Sequence, residues 1–153
     1  MKVLIVVDSP GWAYDHKADS IIRHLEGFDY NKIYFSDFRW SAALDFDVVF
    51  FMGFFYFPPH EIPNLFKDKV VSTLTSFAFT RDSARLRMLP AACQNYAKTG
   101  AVSRDLHSVL DSNGAIDPVL CLNGVEEDIF VPGEGELGSD TLRIGWVGSS
   151  RGE

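Results

Sequence analysis

Hydrophobic and polar positions alternate in blocks along this chain. Lys2–Asp8 (KVLIVVD) is a nearly unbroken run of aliphatic, mostly β-branched residues, the pattern of a parallel strand covered on both faces. Ser9-Pro10-Gly11 breaks it. From His16 to Leu25 the apolar residues Ala18, Ile21, Ile22 and Leu25 recur at helical spacing, and Gly27 follows as a stop. Ile33–Phe35, Asp47–Met52, Val70–Leu74 and the weaker Ala97–Val102 read as further strands, with Val119–Leu122 and Leu142–Val147 completing the set. Arg81–Leu89 and Asp105–Leu110 read as helices, the second capped by Ser103 and stopped at Asn113-Gly114.

Strands separated by helix-length connections predict an α/β fold of Rossmann-like, doubly wound type. Its sheet is mainly parallel, with six or so strands and helices on both faces, and Lys2–Asp8 lies centrally. The segment 133–140 (GEGELGSD) has the glycine-rich, acidic composition of a flexible linker and precedes a new strand. This linker over 133–140 is the best domain boundary in the chain, separating 1–132 from the strand-bearing segment 141–153.

Composition narrows the function. With 153 residues the chain suffices for one full core, and 46% hydrophobic with 23% charged residues are globular values. A net charge of −7 argues against nucleic acid, which requires a positive footprint, and against an anionic lipid surface. Met1-Lys2 leads straight into the first strand, with no signal-type region and no apolar span of about 20 residues, which predicts a cytoplasmic protein without a transmembrane segment. Cys93 and Cys121 lack metal-ligand spacing and read as two buried thiols in a reducing compartment. His24, His60 and His107 form no ligand spacing either, so no metal site is expected.

Ligands of open α/β sheets collect at the carboxyl ends of the strands, so the loops there carry the candidate chemistry. After the first strand, Gly11 leaves room for backbone to approach a phosphate, and the next helix offers amide donors. Pro10-Gly11 also serves as a plain strand-to-helix turn. Asp15 and His16 open that helix, either as solvated surface groups or as contacts to an acceptor hydroxyl. The aromatic run 54–57 either packs beneath a loop or lines a groove. After the fourth strand, Ser76 and Arg81 are the polar candidates, although Arg81 beside Asp82 also suits an exposed ion pair. A receiver domain would need an aspartate where Phe51-Met52-Gly53 stands, and a nicotinamide-dependent dehydrogenase would need a glycine fingerprint that is missing.

Two segments are more specific. Leu120–Pro132 (LCLNGVEEDIFVP) joins a short strand to Asn123-Gly124, an acidic run, and Phe130 and Pro132; Leu142–Ser150 (LRIGWVGSS) is a strand ending on Gly148. Together they resemble the domain junction of retaining, group 1 GT-B glycosyltransferases, with Glu126 where that family usually has aspartate. The opening strand and loop and Ala101-Val102-Ser103 follow in family order. The resemblance implies an acceptor-side N-terminal domain, with 141–153 opening a truncated donor-binding domain. It implies sugar transfer with retention from a nucleotide-sugar to a glycan or lipid-linked acceptor, without metal or other cofactor, and no activity in the isolated fragment. The family's glycine-containing loop faces the donor phosphates, which maps onto Ser9, Gly11 and Trp12, with one glycine where two are common. On the acceptor side the candidates are Asp15 and His16 at the start of the first helix, and Ser76 or Arg81 as a substitute in the loop where many members place a histidine. The family's histidine in the Ser76–Arg81 loop has no counterpart, and no catalytic residue is assigned. The apolar strand 142–147, parted from the sheet it would join, is expected either to pair with a second copy in self-association or to pack back on its own domain. A non-enzymatic Rossmann-like module binding a glycan or a protein partner is the alternative.

Overall fold

A computed structural model of the chain describes residues 1–53, 61–76 and 83–124. These form six strands, β1 (Lys2–Val7), β2 (Asp29–Tyr34), β3 (Val48–Phe51), β4 (Val70–Leu74), β5 (Lys98–Ala101) and β6 (Val119–Leu120), and three α-helices, α1 (Ala13–His24), α2 (Ser83–Asn95) and α3 (Arg104–Ser112). Every strand pairing is parallel and the sheet order is β2-β1-β3-β4-β5-β6. The α/β, Rossmann-like architecture expected from the pattern is thus present. β1 is interior, flanked by β2 and β3, but it stands second from one edge rather than at the centre.

The alternation of β1 builds both cores. Leu4 and Val6 point into one layer with Val49, Phe51, Val70 and Leu74; Val3, Ile5 and Val7 point into the other with Ala18 and Met52. Ile5, Val6 and Val7 are fully buried, each contributing about 1.5–3 kcal/mol of transfer free energy. The strand order reverses between β1 and β3, so right-handed crossovers deliver the helices to opposite faces. α1 covers the Val3–Ile5–Val7 face through Ala18 and Ile21. The other face is covered by Leu89 and Cys93 of α2 and by Leu106 and Leu110 of α3. Two 3-10 turns, Trp40–Ala43 and Asn64–Phe66, complete that layer, with Trp40 stacked on Phe66 at a ring separation of 4.9 Å.

Three boundaries differ most from the sequence reading. α1 begins three residues before His16, because Asp15 reaches back to the Gly11 amide and starts the helix from inside its first turn. β2 begins at Asp29, well before Ile33, its apolar signal masked by Asp29, Asn31 and Lys32 on a sheet edge. α2 runs through Pro90 to Asn95 instead of ending at Leu89. An interior proline costs about 3 kcal/mol. Leu89 and Cys93, four residues apart and both buried, offset that cost by their burial.

The aromatic run 54–57, Arg81, the linker 133–140, the strand 142–147 and the second-domain segment 141–153 lie outside the described residues. No helix among the described residues is long and apolar enough to cross a membrane.

Candidate functional site at the carboxyl edge of the sheet

Among the described residues α1 is the one helix on its face, so the sheet beyond β3 lies open beside it. A cavity of about 510 Å³ occupies that space. One wall is α1, through His16, Lys17, Ser20 and Ile21. Its other lining is a succession of strand ends: Phe50 and Met52 at β3, Thr73 and Thr75 at β4, Val102 after β5, and Cys121 through Gly124 after β6. The volume lies within the usual range for a small-molecule site, and its position is the one the fold class favours.

The polar groups are organised by α1. The Tyr14 hydroxyl pairs with Thr75 Oγ1, tying the first turn of the helix to the end of β4. Lys17 Nζ donates to Asn123 Oδ1 at 2.5 Å, bridging α1 to the segment that leaves β6. Burial lowers the Lys17 pKa, and no carboxylate among the described residues pairs with it. His16 lines the cavity and is exposed. No aspartate or glutamate contributes to the described lining, although the chain carries a net charge of −7.

Asp15, adjacent to His16, turns the opposite way. It is buried, accepting from Lys32 Nζ at 2.6 Å, from the Gly11 amide at 2.8 Å and from the Tyr34 hydroxyl at 3.3 Å. The bond from Lys32 and then that from Gly11 hold its carboxyl below the ordinary aspartate value. Burial opposes charge on Lys32, but its bonds to Asp15 and Asp19 outweigh this and leave its pKa raised. Asp15 is thus the hub of an internal network between α1 and β2.

Ser9, Gly11 and Trp12 form the exposed turn between β1 and α1, with Trp12 67% exposed. Gly11 sits at φ +74°, in the left-handed region, and its amide is committed to Asp15. Any phosphate at this turn would therefore meet Ser9 and the rest of the loop rather than the Gly11 N–H. Ser76 follows Thr75 at the end of β4, half-buried and outside the cavity lining.

Sequence reasoning gave several groups no role in a site. Asp8, at the end of β1 where the strand order reverses, has its Oδ1 buried without a hydrogen-bond partner. Thr75, Asn123 and Cys121 were discoverable from the rule that strand ends face the ligand. Lys17 carried no local signal, since its partner lies far along the chain. Cys93 is buried, and burial raises its pKa to about 11. Cys121 departs from expectation: it is exposed, because β6 is a two-residue strand with no further strand beside it among the described residues. No group of three His, Cys, Asp or Glu side chains among the described residues is arranged to hold a metal ion. Comparison of the chain with protein-family models, with curated proteins and with solved structures gives no match.

Proposed function

We propose that this chain is the acceptor-side half of a retaining glycosyltransferase, with the cavity beside α1 as its acceptor site. The observation that carries the reading is the cavity's position: strand ends from β3 to β6 and one wall of α1 enclose it where ligands bind in this fold class. The junction resemblance at Asn123-Gly124 supplies the reaction, and Asn123 and Gly124 themselves line the cavity.

In this reading the nucleotide-sugar is held by a second domain opening after the linker 133–140. Exposed Ser9 and Trp12 face its phosphates, and Gly11 contributes the shape of the turn. His16 contacts the acceptor from the cavity rim, whereas Asp15 acts through position, fixing the first turn of α1. The half-buried Ser76 borders the site, and Arg81 is the other candidate to stand in for the histidine of the resembling family. Catalysis stabilises charge on the departing diphosphate and uses no metal.

The test begins with the reading frame beyond Glu153, which should continue into a domain carrying two glutamates separated by seven residues. Expressed whole, that protein should transfer sugar from one of a panel of UDP- and GDP-sugars with retained anomeric configuration. His16→Ala should lower kcat/KM about tenfold or more while leaving stability unchanged, because the residue is exposed. Calorimetry of the present chain with the same donors should show no tight complex. A stoichiometric, tight complex with any of them would sink this division of labour.

One observation favours the binding-module alternative. The Gly11 amide, the natural phosphate donor of the first loop, is already taken by Asp15. A module of that kind would bind its ligand in the same cavity without turnover in any extended form of the protein.

A further inference from the structure

Among the described residues, the cavity lining is opposite in charge to the molecule. Against a net −7, its described lining holds Lys17 and His16 and no acid. The nearby carboxylates of Asp15 and Asp19 are both engaged by Lys32. An ammonium has three donors, and Lys17 spends one on the neutral Asn123 oxygen. Among the described residues Lys17 has no counter-charge, and a half-buried cation so placed is an unfavourable arrangement that a bound anion corrects. Ser20 lies one turn from Lys17 on the same helix face, and His16 lies one turn from Ser20. Opposite them Phe50, Met52 and Leu122 offer an apolar surface for the remainder of a small ligand.

We propose that the cavity binds a phosphate monoester carried by the acceptor, with Lys17 as its charge anchor. Asn123 positions the ammonium, and Ser20 supplies a neighbouring hydroxyl. A phosphate carries close to two negative charges and three acceptor oxygens, so it uses the remaining Lys17 donors and the adjacent polar groups together. Identifying the phosphate as part of the acceptor rests on the glycosyltransferase reading; the phosphate site itself does not.

Cys121 provides the measurement. It is exposed and lines the cavity, whereas Cys93 is buried with its pKa raised to about 11, so a maleimide at neutral pH reports on Cys121. The whole chain is alkylated with N-ethylmaleimide at constant ionic strength in the presence of glucose 6-phosphate, glucose, glucuronate or UDP. Glucose 6-phosphate should slow the reaction, glucose should not, and UDP and glucuronate should protect only at higher concentration. Lys17→Met should weaken the protection about tenfold or more, and Lys17→Arg should retain most of it. Circular dichroism confirms that both variants fold. Protection undiminished in Lys17→Met would overturn the proposal, as would equal protection by glucose or glucuronate. Stronger protection by UDP would move the phosphate to the donor and overturn the acceptor assignment. The assay needs no turnover, so protection alongside an extended protein that transfers no sugar would leave the phosphate site standing and remove the glycosyltransferase reading. Transfer without protection would do the reverse.

Discussion

Asp15 and His16 show how much one residue's place on a helix decides. Consecutive helical positions differ by about 100° around the axis. Asp15 therefore points to Lys32 and Tyr34, while His16 points to the cavity. The sequence marked both as candidates at a helix start and had no means of separating them, because the separation depends on where β2 lies. Asp15 has its pKa lowered in the folded protein, chiefly by Lys32, so its contribution to stability is present above the ordinary aspartate value of 3.8 and fades as pH falls through the lower folded value. Asp15→Asn should accordingly be less stable than the native chain at pH 7, with the gap narrowing at pH 3, as measured by urea unfolding at the two pH values. A gap constant with pH would show that the carboxylate charge is irrelevant there. Gly11 makes a second, independent case. A Cβ at this position meets nothing within 4 Å, so the objection to a side chain is the backbone angle of +74° alone. Gly11→Ala should cost about 1–2 kcal/mol in urea unfolding, without any steric contribution. An unchanged midpoint would mean that the turn relaxes freely.

At the scale of elements, legibility followed how strongly burial was written into local pattern. β4 was readable to the residue because Val70, Ser72 and Leu74 alternate inward on a covered strand. β1 was readable because both of its faces are covered. β2, at the sheet edge, hides half its length among polar residues, of which Lys32 finds its partners on α1. α2 continues past Pro90 because tertiary burial overrides local propensity, a contest that a local window cannot adjudicate. α3 is the opposite example: Ser103 was legible as its cap, and its Oγ accepts from the Leu106 amide at 3.3 Å. Gly114 at φ +81° follows the end of the helix, as Asn113-Gly114 suggested. Ser103→Ala should then destabilise the fold by about 1 kcal/mol, read as a shift in the urea midpoint at constant slope. An equal effect from Ser103→Thr, which keeps the cap oxygen, would place the loss in packing and not in capping.

For the whole molecule, the cavity joins parts of very different security. β1, β3 and β4 lie inside the sheet, and Val6, Val49, Val70 and Leu74 are completely buried. β6 is two residues long and leaves Val119, Leu120 and Leu122 exposed, with Leu122 at 68%. Amides of short, exposed edge elements open locally, whereas those of a central ladder open only with global unfolding. Hydrogen exchange should therefore rank β1, β3 and β4 slowest and β6 fastest among the strands. Among the described residues, the side-chain hydrogen bond between α1 and the segment after β6 is Lys17 to Asn123, on the rim of the cavity. A ligand held between α1 and that segment favours the closed arrangement by its binding free energy, so it should slow exchange at Cys121 by about the same factor as it populates the bound state. β2, at the opposite edge of the sheet and outside the cavity lining, should not change, because its local opening leaves the site intact and is not opposed by the ligand. Mass-spectrometric exchange on the whole chain, with and without glucose 6-phosphate, separates the two. Protection spread evenly over all six strands would show that the ligand stabilises the fold globally and does not clamp its labile edge.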